Sequence, residues 1–403
     1  GRSPSLPETD RSKHRIFKSK IAQPPKMWAT HPADNDREDN AKKTYVEATI
    51  NSESSWALFQ NPKETRLKLT KMLLDTAEKK ATSELSDDEA LSTQNKKFEK
   101  SFLDTKYRGL YLKQPITRHI KSPDELFQQD PGLNLNDLKE QLVDVYPESL
   151  NNDLEELEEV SEELGLLMAL KENVLTAPGG VITHRGNQIK RRDLPKIIEK
   201  VEAETKASRE KALKHVDRVR VLHLTAAKRL GKGWAAYLEG LTRLIHYTEH
   251  TEANILDLNR IFQNVLYVAM ADGKVTSSEL AKILNEARAL RTALNGVYSM
   301  AKNDQIKPSE PILKKLGVDS WNDALEEFGL GHPDHDNINQ WLQVVGSWVA
   351  ASTNALGNLR SAALEELLVV ESKVAAHILN DSLAEDDAPP PCRVAEKYFV
   401  LKT

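Results

Sequence analysis

The sequence predicts a mainly α protein, with long antiparallel helices and one small β-hairpin. Charged residues make up 29% of the 403 residues and aromatic residues only 6%, a mix typical of long solvated helices rather than of a strand-rich sandwich. Residues 196–230 and 234–270 carry helical patterns that no proline interrupts. A chain of this length exceeds one ordinary core, which predicts two or three domains.

The first clear helix start is predicted at Asn61. Asn61 can cap a helix whose first residue is Pro62, and Glu64 can complete a capping box. The same start signal recurs at residues 122–125. Residues 153–164 then interleave acidic and apolar side chains at three- and four-residue steps, which predicts an amphipathic helix with a solvated acidic face.

One β-hairpin is predicted at residues 181–191, after a Pro-Gly-Gly sequence that ends the acidic helix. In this hairpin Val181 and Ile182 would face Ile189 across a turn at Gly186-Asn187. The pairing would form the main β component of an otherwise helical chain.

Several long helices are predicted after the hairpin. The first two, separated by the glycines of residues 231–233, would pack as an antiparallel hairpin. Thr276 and Glu279 form the capping box of the next helix, which should end near Ala301. One apolar stripe marks the last long helix: Trp341, Val344, Val345, Trp348 and Val349. Residues 393–400 could add a closing strand.

These patterns divide the chain into four predicted segments. They are a metallopeptidase-type segment at 1–130, an acidic helix and hairpin at 131–192, a long helical hairpin at 193–305, and a helical segment at 306–403. The uncharged stretch 337–359 is too polar for a lipid-facing span, so we expect no membrane span in this chain.

Charge and cysteine content limit the functional classes. The net charge of −5 argues against a dedicated nucleic-acid binder, which usually carries a strong basic excess. The single cysteine, Cys392, excludes an intramolecular disulfide and a cysteine-based zinc site, and it fits a reducing compartment.

The sharpest local motif is H-x-x-E-H at His246, Glu249 and His250. On a helix these residues share one face, so two imidazoles could hold zinc while the carboxylate acts on a water molecule. The alternative is that all three side chains are structural. His215 and His223 on the preceding helix could approach the motif and extend a metal site.

Residues 27–37, Met-Trp-Ala-Thr-His-Pro-Ala-Asp-Asn-Asp-Arg, resemble a segment of the zinc metallopeptidases that include HtpX and the CAAX prenyl proteases. In that family a histidine and an arginine stand six residues apart, as His31 and Arg37 do here. The resemblance implies that both reach the zinc-bound water and the reacting carbonyl group. It covers about the first 120 residues, and residues 102–111 look like the continuation found in large bacterial members.

The family's H-E-x-x-H zinc helix is missing from this chain, so the resemblance implies that it lies upstream of Gly1. We therefore expect the C-terminal region of a bacterial zinc metalloendopeptidase. It would be inactive alone and bind no cofactor, whereas the full-length protein would hold zinc. Its expected partners are the upstream catalytic segment, a peptide or protein substrate, and a homo-oligomer. Its expected location is the cytoplasm or the cytoplasmic face of a membrane.

The sequence leaves three further interpretations open. Residues 266–280 resemble the turn of TerB-like helical domains, although an ordinary helical hairpin explains them equally well. The chain as a whole could instead be a non-enzymatic helical scaffold or adaptor, or a self-contained metalloenzyme that uses the motif beginning at His246.

Overall fold

A computed structural model describes residues 34–44, 46, 54–76, 86–98, 101–177, 181–271, 273–325 and 328–401. The described part of the chain is dominated by helices, and its strands form two antiparallel two-stranded sheets. The predicted mainly α fold with a small hairpin is therefore confirmed.

The helices and strands have the following bounds. The helices are α1 Asp34–Lys42, α2 Pro62–Thr76, α3 Asp87–Phe98, α4 Leu110–Lys113, α5 Asp124–Phe127, α6 Leu135–Val143, α7 Ser149–Lys171, α8 Leu194–Leu230, α9 Trp234–Met270, α10 Ser277–Lys302, α11 Glu310–Leu316 and α12 Ile338–Leu379. The strands are β1 Ile182–His184, β2 Asn187–Ile189, β3 Ile306–Lys307 and β4 Arg393–Val394.

The chain forms two compact units. Unit 1 comprises Gly1–Lys96 and Glu155–Ser208, and unit 2 comprises Lys97–Leu154 and Arg209–Thr403. The four predicted segments stay a prediction. None of the described helices is long and apolar enough to cross a membrane.

Unit 1 has a small core of its own around the β-hairpin. Its buried apolar residues come from α7, the hairpin and the first turns of α8: Leu167, Leu170, Ala177, Ile182, Leu194, Ile198 and Val201. Strand β1 pairs with β2 so that Ile182 lies opposite Ile189, as predicted. Through this pair the otherwise polar hairpin contributes apolar side chains to the small core that it shares with α7 and α8.

The predicted turn of the hairpin was wrong by one residue. The turn residues are Arg185 and Gly186, with φ of 47° and 82°, rather than Gly186 and Asn187. Both φ values are positive, as a two-residue turn that follows the strand twist requires. Arg185 is held there by Glu163 and Glu204, whose carboxylates accept from its guanidinium at 2.6 Å. These ion pairs with α7 and α8 hold Arg185 at the first position of the turn, for which the local pattern predicted Gly186.

Unit 2 contains the main core, in which α9 and α10 pack together and α12 packs against α9. The ring of Phe262 on α9 meets that of Trp341 on α12 edge to face, with 5.4 Å between centroids. The predicted stripe on α12 is confirmed as core, since Trp341, Val345, Trp348 and Val349 are all buried. Helix α10 also begins as predicted, with a complete capping box between Thr276 and Glu279.

The predicted strand at residues 393–400 is much shorter in the structure. Only Arg393 and Val394 form a strand, β4, which pairs with Ile306 and Lys307 of β3. After Val394 the chain runs on toward α9, where the Leu401 amide donates to a histidine side chain of that helix. At Leu401 the hydrogen-bond acceptor is therefore a side chain and not the backbone of a neighbouring strand.

Candidate functional site on helix α9

Helix α9 places the H-x-x-E-H motif inside unit 2. The three residues lie on one face, as the helical period requires, and His246, Glu249 and His250 are 0%, 5% and 0% exposed. The two imidazole rings are 4.1 Å apart between centroids. Imidazoles and a carboxylate buried this deeply need hydrogen-bond partners, and those partners decide what the site can do.

The carboxylate of Glu249 binds the loop before α5. Oε1 accepts from the Ile116 amide at 2.8 Å, and Oε2 accepts from the amide and hydroxyl of Thr117 at 2.8 and 2.9 Å. Burial raises the pKa of Glu249, although these three hydrogen bonds oppose the shift. The carboxylate therefore anchors a loop that is more than a hundred residues away in sequence.

His246 joins the same loop to the C-terminal part of the chain. Its Nε2 donates to the Ile120 carbonyl at 3.1 Å, and its Nδ1 lies 2.7 Å from the Tyr398 hydroxyl. Because a carbonyl can only accept, the proton of the neutral ring is on Nε2 and Nδ1 accepts from the tyrosine. Burial lowers the pKa of His246 to about 4, and the neighbouring His250 adds to the effect.

His250 has the same tautomer for a similar reason. Its Nδ1 accepts from the Leu401 amide at 3.0 Å, so the proton of the neutral ring is on Nε2. That Nε2 is buried and has no hydrogen-bond partner among the described residues. Burial lowers the pKa of His250 as well. Both histidines are thus held neutral, with Nδ1 facing the end of the described chain.

The acceptor atoms of the folded motif are directed at other parts of the chain. A zinc ligand must direct a free lone pair at the metal. Here Nδ1 of each imidazole and both oxygens of the carboxylate already accept hydrogen bonds from the chain itself. In the part of the chain that the structure describes, no group of three or more His, Cys, Asp or Glu side chains is arranged to hold a metal ion.

The two histidines considered as further ligands have other neighbours. His223 bonds through Nδ1 to the Val219 carbonyl at 2.8 Å and lies 3.9 Å from the Glu371 carboxylate. The ring of His215 lies 6.3 Å from that of Tyr146. Burial and the nearby Arg220 together lower the pKa of His223 to about 3. Neither residue extends the motif on α9.

A second buried polar cluster, which sequence reasoning missed, surrounds Arg220. Its Nη2 bonds to Glu371 Oε2 at 2.8 Å and to the Tyr111 hydroxyl at 2.5 Å, and that hydroxyl meets the Tyr146 hydroxyl at 2.8 Å. Burial raises the pKa of Glu371 to about 7, although Arg220 opposes the shift. Because no local pattern joins an arginine on α8 to a glutamate on α12, this pair could not be predicted from the sequence.

A carboxyl group with this pKa would suit proton transfer near neutral pH, but access is restricted. The cavity lined by Arg220 and Glu371 has a volume of about 10 Å³. Such a space holds about one water molecule and excludes an organic substrate. The cluster therefore serves to join α8 to α12 within unit 2.

Of the two candidate catalytic residues near the N-terminus, the structure describes one. His31 lies outside the described residues, whereas Arg37 lies in α1 with an exposed side chain. Comparison with protein-family models, with curated proteins and with solved structures finds no match to this chain.

Proposed function

We propose that this chain is a helical, non-catalytic region of a bacterial zinc metallopeptidase of the HtpX and CAAX prenyl protease type, and that it binds a protein substrate or partner. The resemblance of residues 27–37 supports the peptidase assignment. The observation that carries the binding role is an exposed apolar surface at one end of α9.

This surface, the α9–α10 tip, consists of Tyr267, Val268, Met270 and Val275. Their side chains are 80%, 70%, 57% and 48% exposed, whereas Ala269 among them is buried. Tyrosine and methionine are enriched in protein interfaces, and methionine adapts its shape to different partners. Closely spaced exposed apolar side chains of this kind often mark a binding surface.

The tip is carried by well-anchored helices. Phe262, two turns before the end of α9, is fully buried, and the capping box of Thr276 and Glu279 fixes the start of α10. A surface on rigid elements binds without a large cost in ordering. The tip thus suits a partner-binding role better than the buried motif of α9 suits catalysis.

The proposed contribution to catalysis comes from His31 and Arg37. Both would donate hydrogen bonds to the oxyanion that forms when water attacks the peptide carbonyl. Arg37 is an exposed residue of α1. Zinc and its ligands would come from the upstream catalytic segment of the same protein. We place the protein in the cytoplasm or at the cytoplasmic face of a membrane, where a lone cysteine stays reduced.

The second candidate is a non-enzymatic helical scaffold or adaptor. The motif on α9 favours this candidate. Its acceptor atoms on His246, Glu249 and His250 bind other parts of the chain and hold them in place. In this case the resemblance of residues 27–37 is accidental, and the α9–α10 tip is the main functional surface.

Peptidase kinetics of the intact protein on a protein substrate separate these candidates. His31→Ala and Arg37→Ala should each lower kcat by about a hundred- to a thousandfold, with zinc content unchanged. Zinc-loaded intact protein without any peptidase activity would refute the peptidase assignment and leave the scaffold.

The binding role has its own test. A double variant, Tyr267→Ser with Met270→Ser, should raise KM and leave kcat unchanged, because it removes contacts that bind substrate and transition state equally. Val369→Ser, at a 48% exposed site on α12, is the matched control. An unchanged KM in the double variant would exclude the tip as the substrate-binding surface.

A further inference from the structure

The C-terminal part of the described chain lies along one face of α9. This face, the α9 groove, consists of Gly240, His246, Tyr247 and His250, which fall on one side of the helix. It receives residues 388–401, called here the 388–401 segment. The segment contacts the groove at three successive places: a close backbone approach, an aromatic side chain, and an amide.

The close approach is at Gly240. A Cβ atom at this position would lie 2.8 Å from the Cys392 nitrogen and 3.0 Å from its oxygen. Such distances are too short for any side chain, so the main chain of the segment would have to shift. Glycine at this point lets the helix and the extended chain touch backbone to backbone.

The aromatic contact is made by Tyr398. Its hydroxyl donates to Nδ1 of His246 at 2.7 Å, and its ring meets that of Tyr247 edge to face at 5.5 Å between centroids. Three residues later the Leu401 amide donates to Nδ1 of His250 at 3.0 Å. The groove therefore recognises an extended peptide through one tyrosine and through main-chain groups.

Two further hydrogen bonds hold the first part of the segment: the Ala388 amide donates to the Lys232 carbonyl at 2.9 Å, and the Ser309 amide donates to Cys392 Sγ at 3.3 Å. Within residues 388–401, Cys392 is the only buried residue, and the sheet formed with β3 is two residues long on each strand. The connection from α12 is exposed at residues 381–383, where Leu383 is 85% exposed. A segment with so little buried surface opens at a smaller free-energy cost than the helices around it.

We propose that the α9 groove also binds the 388–401 segment of a second copy of this chain, so that two copies associate by exchanging these segments. The contacts described at Gly240, His246 Nδ1 and His250 Nδ1 are made by atoms of the segment, and a second copy presents the same atoms. Exchange of an identical element between two copies loses none of these contacts and needs no newly evolved surface. This proposal is independent of the peptidase assignment.

Two complementary full-length variants test the exchange. Gly240→Val blocks the groove but keeps an intact segment, whereas Tyr398→Ala weakens the segment but keeps an open groove. Light scattering should show monomers for each variant alone and dimers for the equimolar mixture. A chain carrying both substitutions, mixed with the Tyr398→Ala chain, is the matched control and should stay monomeric.

A synthetic peptide of residues 388–401 supplies the second measurement. It should dissociate the mixed dimer, and the same peptide with Tyr398→Ala should need about ten times the concentration or more, because it lacks the hydrogen bond and the ring contact. Circular dichroism checks that both variants are folded, and Gly240→Ala replaces Gly240→Val if the larger side chain unfolds the protein. Monomers in a mixture of folded variants, or equal dimerisation of the control mixture, would overturn the proposal.

Discussion

Acidification should destabilise unit 2 through His246, and replacing this residue by glutamine should remove that part of the pH dependence. The folded protein holds the imidazole neutral, with Nδ1 accepting from Tyr398 and the pKa lowered to about 4. In the unfolded chain the pKa is about 6.5. As the pH falls, the unfolded state binds the proton first, so stability is lost from about pH 6.5 down to about pH 4.

The folded-state and unfolded-state pKa values of His246 determine how much unfolding free energy is lost on acidification. Each tenfold difference in proton affinity is worth about 1.4 kcal/mol, so the whole shift from 6.5 to about 4 corresponds to roughly 3 kcal/mol. Between pH 7.5 and pH 5 the linkage relation gives a loss of about 2 kcal/mol. His223, whose pKa burial lowers to about 3, adds its own loss, but it does so equally in wild type and variant.

Urea unfolding followed by tryptophan fluorescence measures the effect at pH 7.5, 6.5, 5.5 and 5. His246→Gln should be less stable than wild type at pH 7.5, and the difference between them should shrink by about 2 kcal/mol at pH 5. His335→Gln, at an exposed position, is the control and should leave the wild-type profile unchanged. Parallel stability profiles for wild type and His246→Gln across this range would refute the assignment of a buried neutral imidazole.

Further predictions concern the loop anchor and the core. Glu249→Ala should lower the free energy of unfolding by about 3 kcal/mol, because it leaves the buried amides of Ile116 and Thr117 without an acceptor. The control, Glu252→Ala on the same helix, removes a half-buried ion pair and should lower it by about 1 kcal/mol or less. Thermal unfolding of both variants would show equal losses if the loop is not anchored. Trp341→Ala, at a fully buried site, should lower the free energy of unfolding by about 3–5 kcal/mol. The control, Val369→Ala at a 48% exposed site on the same helix, should lower it by less than about 0.5 kcal/mol. Similar urea midpoints for the two variants would contradict the packing described.

Local sequence patterns predicted the helical architecture because each pattern depends on neighbouring residues. Periodic apolar residues predicted α8, α9 and the buried stripe of α12, and the Thr276–Glu279 box predicted the start of α10. These signals act within one or two turns of helix, so no knowledge of the rest of the chain is needed to interpret them. The same local reasoning misplaced the hairpin turn by one residue, because the side chains that hold Arg185 come from two other helices.

The role of the H-x-x-E-H motif was decided by tertiary structure alone. Its spacing fits a zinc helix and a buried structural face equally well, since both need three polar side chains on one side of a helix. The partners that distinguish the two are 133, 152 and 151 residues away, at Ile116, Tyr398 and Leu401. Nothing near His246 in the sequence specifies them. The sequence by itself determined that these side chains share one face of a long helix, and only the packing of distant segments against that face determined that they bind the chain itself.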